Sequence, residues 1–413
     1  MKLRRVRIED LGKLRVEPID GATLLEAGRI VDDVRARGWA ALDEHARRLG
    51  DGEPRWIPRA ELEVSFAAVA AGTRELLKRT ASRIARFAAA QRSALTDLTC
   101  AVDGGRAGHD VLPVESAGCY APGGRFPLPS SVLMTAVTAR AAGVGRVIVA
   151  SPRPAEVTLV AAYVGGADGV LAAGGAQAIG ALAFGAGPVD PCDVVVGPGN
   201  RWVTAAKQRV AGFVGLDMLA GPSELVVVAD AGSDPALVAA DLLAQAEHDT
   251  DALPVLVSLD AEFVERVEAE LELQLATLPT AAIARAALAN GFAIVEADTA
   301  CAARAVNQLA PEHLQIVTRD PRAVANLVEH AGAVFLGPRS AEVLGDYGAG
   351  PNHVLPTSRA ARSRAGLSVF TFLRARTWLD LDDPEEIARD AAALARLEGL
   401  EGHARAAERR CRA

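Results

Sequence analysis

Short runs of valine and isoleucine recur about every 23 residues in the middle of the chain, and each precedes an alanine-rich amphipathic stretch. The runs lie at 147–149, 170–171 and 194–196, and the stretches after the first two cover 156–163 and 176–184. A buried strand followed by a helix is the repeating unit of a parallel sheet with helices on its faces. The spacing therefore predicts an α/β fold.

A second series of the same kind follows. Apolar runs at 225–228, 255–257 and 292–295 each precede a helical pattern, and two further runs lie at 314–317 and 334–335. Together the two series predict two α/β blocks, each built on its own parallel sheet.

The ends of the chain differ from its middle. Residues 24–49 and 59–88 carry apolar residues at three- and four-residue spacing, which is typical of amphipathic helices. After residue 367, a short strand-like piece at 369–372 precedes a charged helix from Pro384 onward. This C-terminal segment of about 45 residues is too small for a good core of its own. We expect it to pack on the rest of the chain or on a partner subunit.

Charge and composition exclude several classes of partner. Lys and Arg number 44 and Asp and Glu number 52, which gives a net charge of −8, and aromatic residues make up 4% of the chain. Excess negative charge and few aromatic side chains argue against binding to nucleic acid or to an anionic membrane. The sequence therefore predicts a protein without a nucleic-acid or membrane partner.

The cysteines and the N-terminus indicate the compartment. Five scattered cysteines without a CxxC pair do not form a disulfide framework. The first 16 residues are charged throughout and lack the apolar core of a signal peptide. The apolar stretch 170–189 is long enough to span a bilayer, but its glycines and proline divide it into strand, turn and helix. We therefore expect a soluble, cytoplasmic protein.

Two histidine-containing segments could carry chemistry. Gln245 and His248 stand at i and i+3, so they share one face of a helix and could bind one metal ion. A histidine at a helix C-terminus is also favoured by the helix dipole without any ligand. Glu312 and His313 are adjacent before a strand, which would place two acid/base groups of different basicity side by side. Such a pair is equally compatible with surface polar residues, so both interpretations stay open.

Glycine-rich segments supply further candidates. Residues 345–353 place Asp346 and His353 among three glycines and a proline, which is typical of a loop that serves a site. The turns at 173–177 and 196–200 follow predicted strands and could expose backbone N–H groups to the pyrophosphate of a dinucleotide. Neither is a GxGxxG motif with an acidic residue about 20 positions on. A nucleotide site and a plain tight turn are therefore both compatible with them.

In order and spacing, these segments resemble the histidinol dehydrogenase family over roughly residues 20–405. The matching motifs are Gly118–Gly124 with Leu128–Met134, Gly174–Ile179, Val196–Asn200, Ala220–Glu224, Gln245–Asp249, Ala310–Leu314, Gly345–Thr357 and the Glu398–His403 segment. The resemblance implies two Rossmann-like parallel-sheet domains with small N- and C-terminal segments, in an intertwined homodimer. Four parts are then predicted: an N-terminal segment (1–19), a discontinuous catalytic domain (20–119 plus 223–367), an NAD-binding domain (120–222) and a C-terminal dimerisation segment (368–413).

The resemblance also implies roles for individual residues. One Zn²⁺ per subunit would be bound by Gln245, His248, Asp346 and His403, with Glu312 and His313 as the acid/base residues. NAD would contact Tyr120, Gln177 and Asn200. An amino-alcohol substrate would contact Ser223, Gln245, His248, His313, Asp346, His353, Glu398 and His403. In the family, the tail glutamate and tail histidine come from the other subunit, so the C-terminal residues would complete the partner's site.

The function implied by the resemblance is the oxidation of L-histidinol to L-histidine through L-histidinal, the last step of histidine biosynthesis. Departures from the family pattern at Arg125-Phe126 and in the arginine-rich stretch 359–364 bear on the substrate more than on the reaction. A related zinc- and NAD-dependent dehydrogenase for another small polar alcohol therefore stays an alternative, as does a metal-storing dimer that keeps only the scaffold.

Overall fold

The computed structural model describes residues 2–14, 19–123 and 126–412. The strands of these residues are, in chain order, β1 (Arg4–Arg5), β2 (Arg55–Pro58), β3 (Leu98–Val102), β4 (Gly105–Pro113), β5 (Ser116–Tyr120), β6 (Arg146–Ala150), β7 (Gly169–Ala172), β8 (Val194–Val196), β9 (Gly215–Leu216), β10 (Glu224–Ala229), β11 (Leu253–Ser258), β12 (Phe292–Val295), β13 (His313–Ile316), β14 (Ala333–Leu336) and β15 (Leu373–Leu381).

The helices alternate with the strands through most of the chain. They are α1 (Gly21–Arg37), α2 (Trp39–Arg48), α3 (Arg59–Ala68), α4 (Ala71–Ser93), α5 (Pro129–Ala142), α6 (Glu156–Val164), α7 (Gly175–Phe184), α8 (Arg201–Val210), α9 (Pro235–Ala246), α10 (Ala261–Leu275), α11 (Ala281–Asn290), α12 (Thr299–Leu309), α13 (Pro321–Ala325), α14 (Glu342–Asp346), α15 (Glu385–Leu397) and α16 (Glu401–Glu408).

Two six-stranded sheets form the frame of the molecule. The first has the order β1-β12-β11-β10-β13-β14 and is parallel throughout. The second has the order β2-β7-β6-β5-β8-β9 and is parallel except for β2, which runs antiparallel to β7. Their inner strands are largely buried on both faces and, except for β5 (Ser116–Tyr120) and β13 (His313–Ile316), contain valine, as is typical of parallel sheets covered by helices. The predicted α/β class with two parallel sheets is confirmed.

The N-terminal helices pack on the second sheet, whereas the sequence analysis grouped residues 20–119 with the strands of the first sheet. Helix α1 packs against α7 and α8, and α4 packs against α5. Strands β2 and β5, at 55–58 and 116–120, hydrogen-bond within the second sheet. Their buried faces pack into the same hydrophobic clusters as the helices of that sheet. The division of the chain into four domains stays a prediction.

Glycine ends the first predicted helix early. The expected helix over 24–49 is two helices, because Gly38 adopts φ +60° and its N–H caps α1 at the carbonyl of Val34. The predicted strand at 369–372 is a single 3₁₀ turn, and strand β15 begins only at Leu373. β15 joins β4 and β3 in a small antiparallel sheet.

The C-terminal helices pack mainly against each other. Within the described ranges, α15 and α16 make their main contacts with one another and with the turn Arg409–Arg412. Their shared core consists of alanines, among them Ala392 and Ala404, while Leu397 is 86% exposed. In the part of the chain that the structure describes, no helix has both the length and the apolar character needed to span a bilayer.

Candidate active site and metal centre

The candidate acid/base pair lies at the amino end of β13, beside the amino end of the neighbouring strand β10 of the first sheet. β10 begins at Glu224 and β13 at His313, and the register pairs Leu225 with His313. Ser223 and Glu312, which immediately precede these strands, therefore meet at the same edge. Helix α9 ends at this edge as well, because a helix that follows a parallel strand runs back to the start of the next strand. The topology thus brings segments about 90 residues apart to one site.

A cluster of metal-ligand side chains lies beside this edge. His248 Nε2 is 3.3 Å from Asp346 Oδ2, and His248 Nδ1 lies 3.1 Å from the carbonyl oxygen of Ala244. One donor atom each of His248, Glu342 and Asp346 lies within 4.8 Å of the others. An Nδ1–H that donates to a backbone carbonyl leaves Nε2 as the free ligand atom, which is the usual arrangement of a metal-binding histidine.

Gln245 gives an independent indication of a ligand. Its side chain is fully buried on α9, and neither its Oε1 nor its Nε2 has a hydrogen-bond partner among the described residues. Buried polar atoms are almost always paired, so this amide lacks a group that the protein chain itself does not supply. An oxygen from Gln245, a nitrogen from His248 and an oxygen from Asp346 fit a cation of borderline softness.

The charges of the cluster are coupled. Burial disfavours the imidazolium of His248, but the hydrogen bond and the negative charge of Asp346 outweigh it and raise the pKa of His248 to about 9. Burial would raise the pKa of Asp346, yet its hydrogen bond with His248 and the neighbouring histidines lower it. Protonated His248 therefore supplies a positive charge beside Asp346. A cation bound to this cluster would supply the same charge.

The hydrogen bonds of Glu312 and His313 define which of their atoms are free. Glu312 Oε2 accepts from Ser223 Oγ at 2.8 Å and from the N–H of Glu224 at 2.9 Å. His313 Nδ1 lies 3.2 Å from the carbonyl oxygen of Glu224, so it carries the proton of the neutral ring. His313 Nε2 has no hydrogen-bond partner among the described residues and is 3.7 Å from Asp346 Oδ1. This nitrogen can accept a proton.

Burial sets the proton affinity of the carboxyl groups at this edge. It raises the pKa of Glu312 to about 8, although the hydrogen bonds from Glu224 and Ser223 lower this pKa. Burial and the charge of Glu312 raise the pKa of Glu224 to about 7. These groups can take up and release protons near neutral pH, which general acid/base chemistry requires.

Glu342 is a residue of this site that the sequence analysis did not identify. It is buried on α14, its Oε1 lacks a partner among the described residues, and that atom is 3.9 Å from His313 Nδ1. Burial raises the pKa of Glu342 to about 7, although His313 opposes the shift. The sequence does place Glu342 four residues before Asp346, which puts the two carboxylates on one helix face and could have identified Glu342 as a site residue.

His353 contacts the backbone of Asp346. Its Nδ1 is 2.9 Å from the backbone carbonyl of Asp346, and its Nε2 is 3.4 Å from Ser131 Oγ on α5. Burial lowers the pKa of His353 and outweighs the attraction of Asp346. The neutral ring is therefore held at the edge of the cluster, as a substrate contact would need.

The tail residues Glu398 and His403 are not brought to this site within the single chain. Both are exposed on the α15–α16 pair, whose main contacts lie within the tail itself. Two of the nine residues predicted for the metal, substrate and acid/base roles therefore stand apart from the metal cluster, and both belong to the segment for which a partner subunit was expected.

The three residues predicted to contact NAD lie at the carboxyl ends of the second sheet. Tyr120 ends β5, Gln177 lies in the first turn of α7 and Asn200 caps α8. The strand order reverses between β5 and β8, which is where open α/β sheets bind ligands. Asn200 Oδ1 already accepts from the N–H groups of Trp202 and Val203, so only its amide nitrogen is free for a ligand.

A buried ion pair stabilises the second glycine-rich turn, at residues 196–200. Lys207 Nζ is 2.6 Å from Asp217 Oδ1 and donates to the carbonyl of Gly197, while Asp217 Oδ2 accepts from the N–H of Gly197 at 2.7 Å. Gly197 has φ +112°, and a Cβ there would lie 1.9 Å from the carbonyl oxygen of Tyr120. The pair fixes the turn that follows β8.

The glycine-rich motif residue Gly124 and the departure Arg125 lie outside the described residues.

Comparisons with known proteins agree on one family. The family model for histidinol dehydrogenase matches residues 21–411. A histidinol dehydrogenase from Thermus thermophilus is 46% identical over 385 residues, covering 92% of this chain and 93% of the relative. The protein of that name from Pseudomonas syringae pv. syringae is 44% identical over 395 residues, covering 92% and 88%. The crystal structure of the enzyme from Elizabethkingia anophelis superposes with a TM-score of 0.92 at 30% identity, covering 99% of this chain and 98% of that one.

Proposed function

The chain belongs to the histidinol dehydrogenase family, and we infer that it oxidises L-histidinol to L-histidine with NAD as the last step of histidine biosynthesis. One observation carries this function: the acid/base pair Glu312-His313 lies beside a cluster of metal-ligand side chains, in a chain that matches the family from residue 21 to 411. The cytoplasmic location stays a prediction.

For the metal centre we propose Zn²⁺, held by Gln245, His248 and Asp346 of one chain. The unpartnered amide of Gln245 and the Nε2 of His248, which faces Asp346 Oδ2 at 3.3 Å, support this ligand set. When bound, the ion would anchor the imidazole and amino nitrogens of the substrate. Ser223 and His353 flank the cluster and are the proposed substrate contacts from the same chain.

The acid/base residues divide the two oxidations. His313 Nε2 takes the hydroxyl proton of the substrate as the alcohol becomes an aldehyde, and Nδ1 stays bonded to the carbonyl of Glu224. Glu312 then takes a proton from the water that adds to the aldehyde carbon. The hydrated aldehyde loses its remaining carbon-bound hydrogen as hydride and its hydroxyl proton to His313 Nε2, and it becomes the carboxylate. NAD, when bound, supplies the hydride acceptor in each oxidation.

We propose that NAD contacts Tyr120, Gln177 and Asn200 at the carboxyl ends of β5, β7 and β8. The reversal of strand order at this edge supports the location.

We further propose a homodimer in which the tail completes the site. His403 of the partner subunit would be the fourth zinc ligand, and Glu398 of the partner subunit would contact the substrate, giving one Zn²⁺ per subunit. The exposed side chains of Leu394, Leu397 and Leu400, on α15 and just before α16, support this arrangement, because an 86% exposed Leu397 is costly unless another surface covers it.

Removal of the metal is expected to abolish activity, and added Zn²⁺ should restore it, because the ion positions the substrate. Asp346→Asn should weaken zinc retention at least about 10- to 100-fold, the loss typical of changing even an outer partner of a metal site. The measurement is zinc content per subunit after dialysis, read together with histidinol binding.

Asp382→Asn is the matched control, since Asp382 is exposed and outside the cluster. It should retain zinc like the unmodified protein. Full activity in thoroughly metal-free protein would contradict the assignment of Gln245, His248 and Asp346.

A further inference from the structure

A carboxylate from a distant part of the chain lies at the first glycine-rich turn. Asp51 belongs to the loop after α2, where its own N–H donates to the carbonyl of Ala46. Its Oδ2 accepts from the N–H of Gly174 at 3.0 Å and from Gln177 Nε2, also at 3.0 Å. Asp51 therefore joins the N-terminal helices to the turn where the cofactor is proposed to bind.

This contact fixes the orientation of the Gln177 amide. A carboxylate only accepts hydrogen bonds, so the amide nitrogen of Gln177 must face Asp51 and its oxygen must face away. Gln177 is 1% exposed, and its Oε1 has no hydrogen-bond partner among the residues that the structure describes. Gly175 leaves room for this oxygen, because a Cβ at that position would lie 2.9 Å from it. The result is a buried acceptor that lacks a donor.

The same carboxylate changes what the turn can bind. The N–H of Gly174 at the start of α7 is already used by Asp51, and the N–H of Gly175 is 3.3 Å from the hydroxyl of Tyr120. A phosphate placed there would meet a negative side chain instead of free N–H donors. The turn at 174–177 is thus suited to a neutral hydrogen-bond donor and not to a pyrophosphate.

We propose that Asp51 is a positioning residue for the cofactor: it holds the Gln177 amide so that Oε1 accepts a hydrogen bond from a hydroxyl or amide N–H group of NAD. This inference rests on the proposed NAD site. It goes beyond that site because it assigns a role to the loop after α2, and because it states the polarity of the group that Gln177 recognises.

The test compares NADH binding, by fluorescence titration of the zinc-loaded protein, in variants of both residues. Asp51→Ala removes the acceptor that orients Gln177, so NADH binding should weaken about 5- to 50-fold. Asp51→Asn keeps an oxygen that can accept both hydrogen bonds, so its affinity for NADH should fall less than that of Asp51→Ala. Zinc content and the KM for histidinol should stay unchanged in both, which a general loss of structure would not allow.

The hydrogen bond itself is tested by exchanging its polarity. Gln177→Glu sets two carboxylates against each other and should weaken NADH binding. Adding Asp51→Asn to that variant should restore part of the binding, because the amide introduced at position 51 can donate to the carboxylate introduced at position 177. A substitution that is neutral or harmful alone but beneficial beside Gln177→Glu demonstrates direct coupling of the two side chains. Asp43→Ala, which removes a carboxylate on α2 that pairs with Arg47, is the control and should not alter NADH binding.

The outcomes separate this inference from the cofactor site on which it rests. If Gln177→Ala weakens NADH binding while Asp51→Ala does not, the positioning role of Asp51 is wrong and the cofactor site stands. Independent effects of Asp51→Asn and Gln177→Glu would also overturn the role. If Gln177→Ala leaves NADH binding unchanged, the proposed cofactor site is wrong, and the inference is wrong with it.

Discussion

Glu312→Gln is expected to slow the oxidation of L-histidinal by about 10²- to 10⁴-fold, the usual loss when a general base is removed. Glutamine keeps the size of the side chain, and its oxygen can still accept from Ser223 Oγ and the N–H of Glu224. It cannot take a proton from water. The alcohol step, which uses His313 Nε2, should therefore fall much less than the aldehyde step.

The measurement is single-turnover NADH release, started from L-histidinol or from L-histidinal. His313→Asn is the comparison variant and should slow NADH release from both substrates, because it removes the base that takes a hydroxyl proton in each oxidation. Glu329→Gln changes an exposed glutamate outside the site and is the control. If Glu312→Gln slows both oxidations by one factor, or spares the aldehyde step, Glu312 is not the base that activates water.

Activity should return when two inactive variants are mixed. His403→Ala removes the proposed zinc ligand on the tail, and His248→Ala removes a proposed ligand in the metal cluster. Each homodimer therefore lacks complete zinc sites. After joint unfolding and refolding at equal amounts, half of the dimers are mixed, and each mixed dimer has one intact site. About a quarter of the unmodified activity is therefore expected. The exposed position of His403 on a helix pair with few contacts to the body motivates this experiment.

A second mixture shows whether recovery depends on the shared site. His248→Ala and Asp346→Ala both break the same cluster, so their mixture should stay inactive. If the first mixture also stays inactive while the refolded unmodified protein recovers, His403 does not act across the subunits.

The sequence was sufficient for most inner strands of the two parallel sheets because those strands are continuous apolar runs. The predicted run 292–295 is strand β12, and 194–196 is β8. The small antiparallel sheet was not predicted. Its strand β3 is almost wholly exposed and therefore lacks the apolar pattern that marks a buried strand.

The site could be predicted where one segment carries two functional residues, as in Gln245 with His248 or Glu312 with His313. It could not be predicted where the contact joins distant segments. Asp51 and Gln177 are 126 residues apart, and a lone aspartate after a helix has no local signal of its role. Lys207 and Asp217 likewise are paired only because β9 runs beside β8 and returns the chain to the turn that Gly197 forms.

The central claim is that this chain oxidises histidinol twice at one site. The most direct test is to follow NADH release from zinc-loaded protein with L-histidinol and with a panel of other amino alcohols and diols. The account predicts two NADH and one L-histidine for each L-histidinol consumed, with L-histidinol the best substrate of the panel. No NADH release from L-histidinol, together with turnover of another polar alcohol, would contradict it.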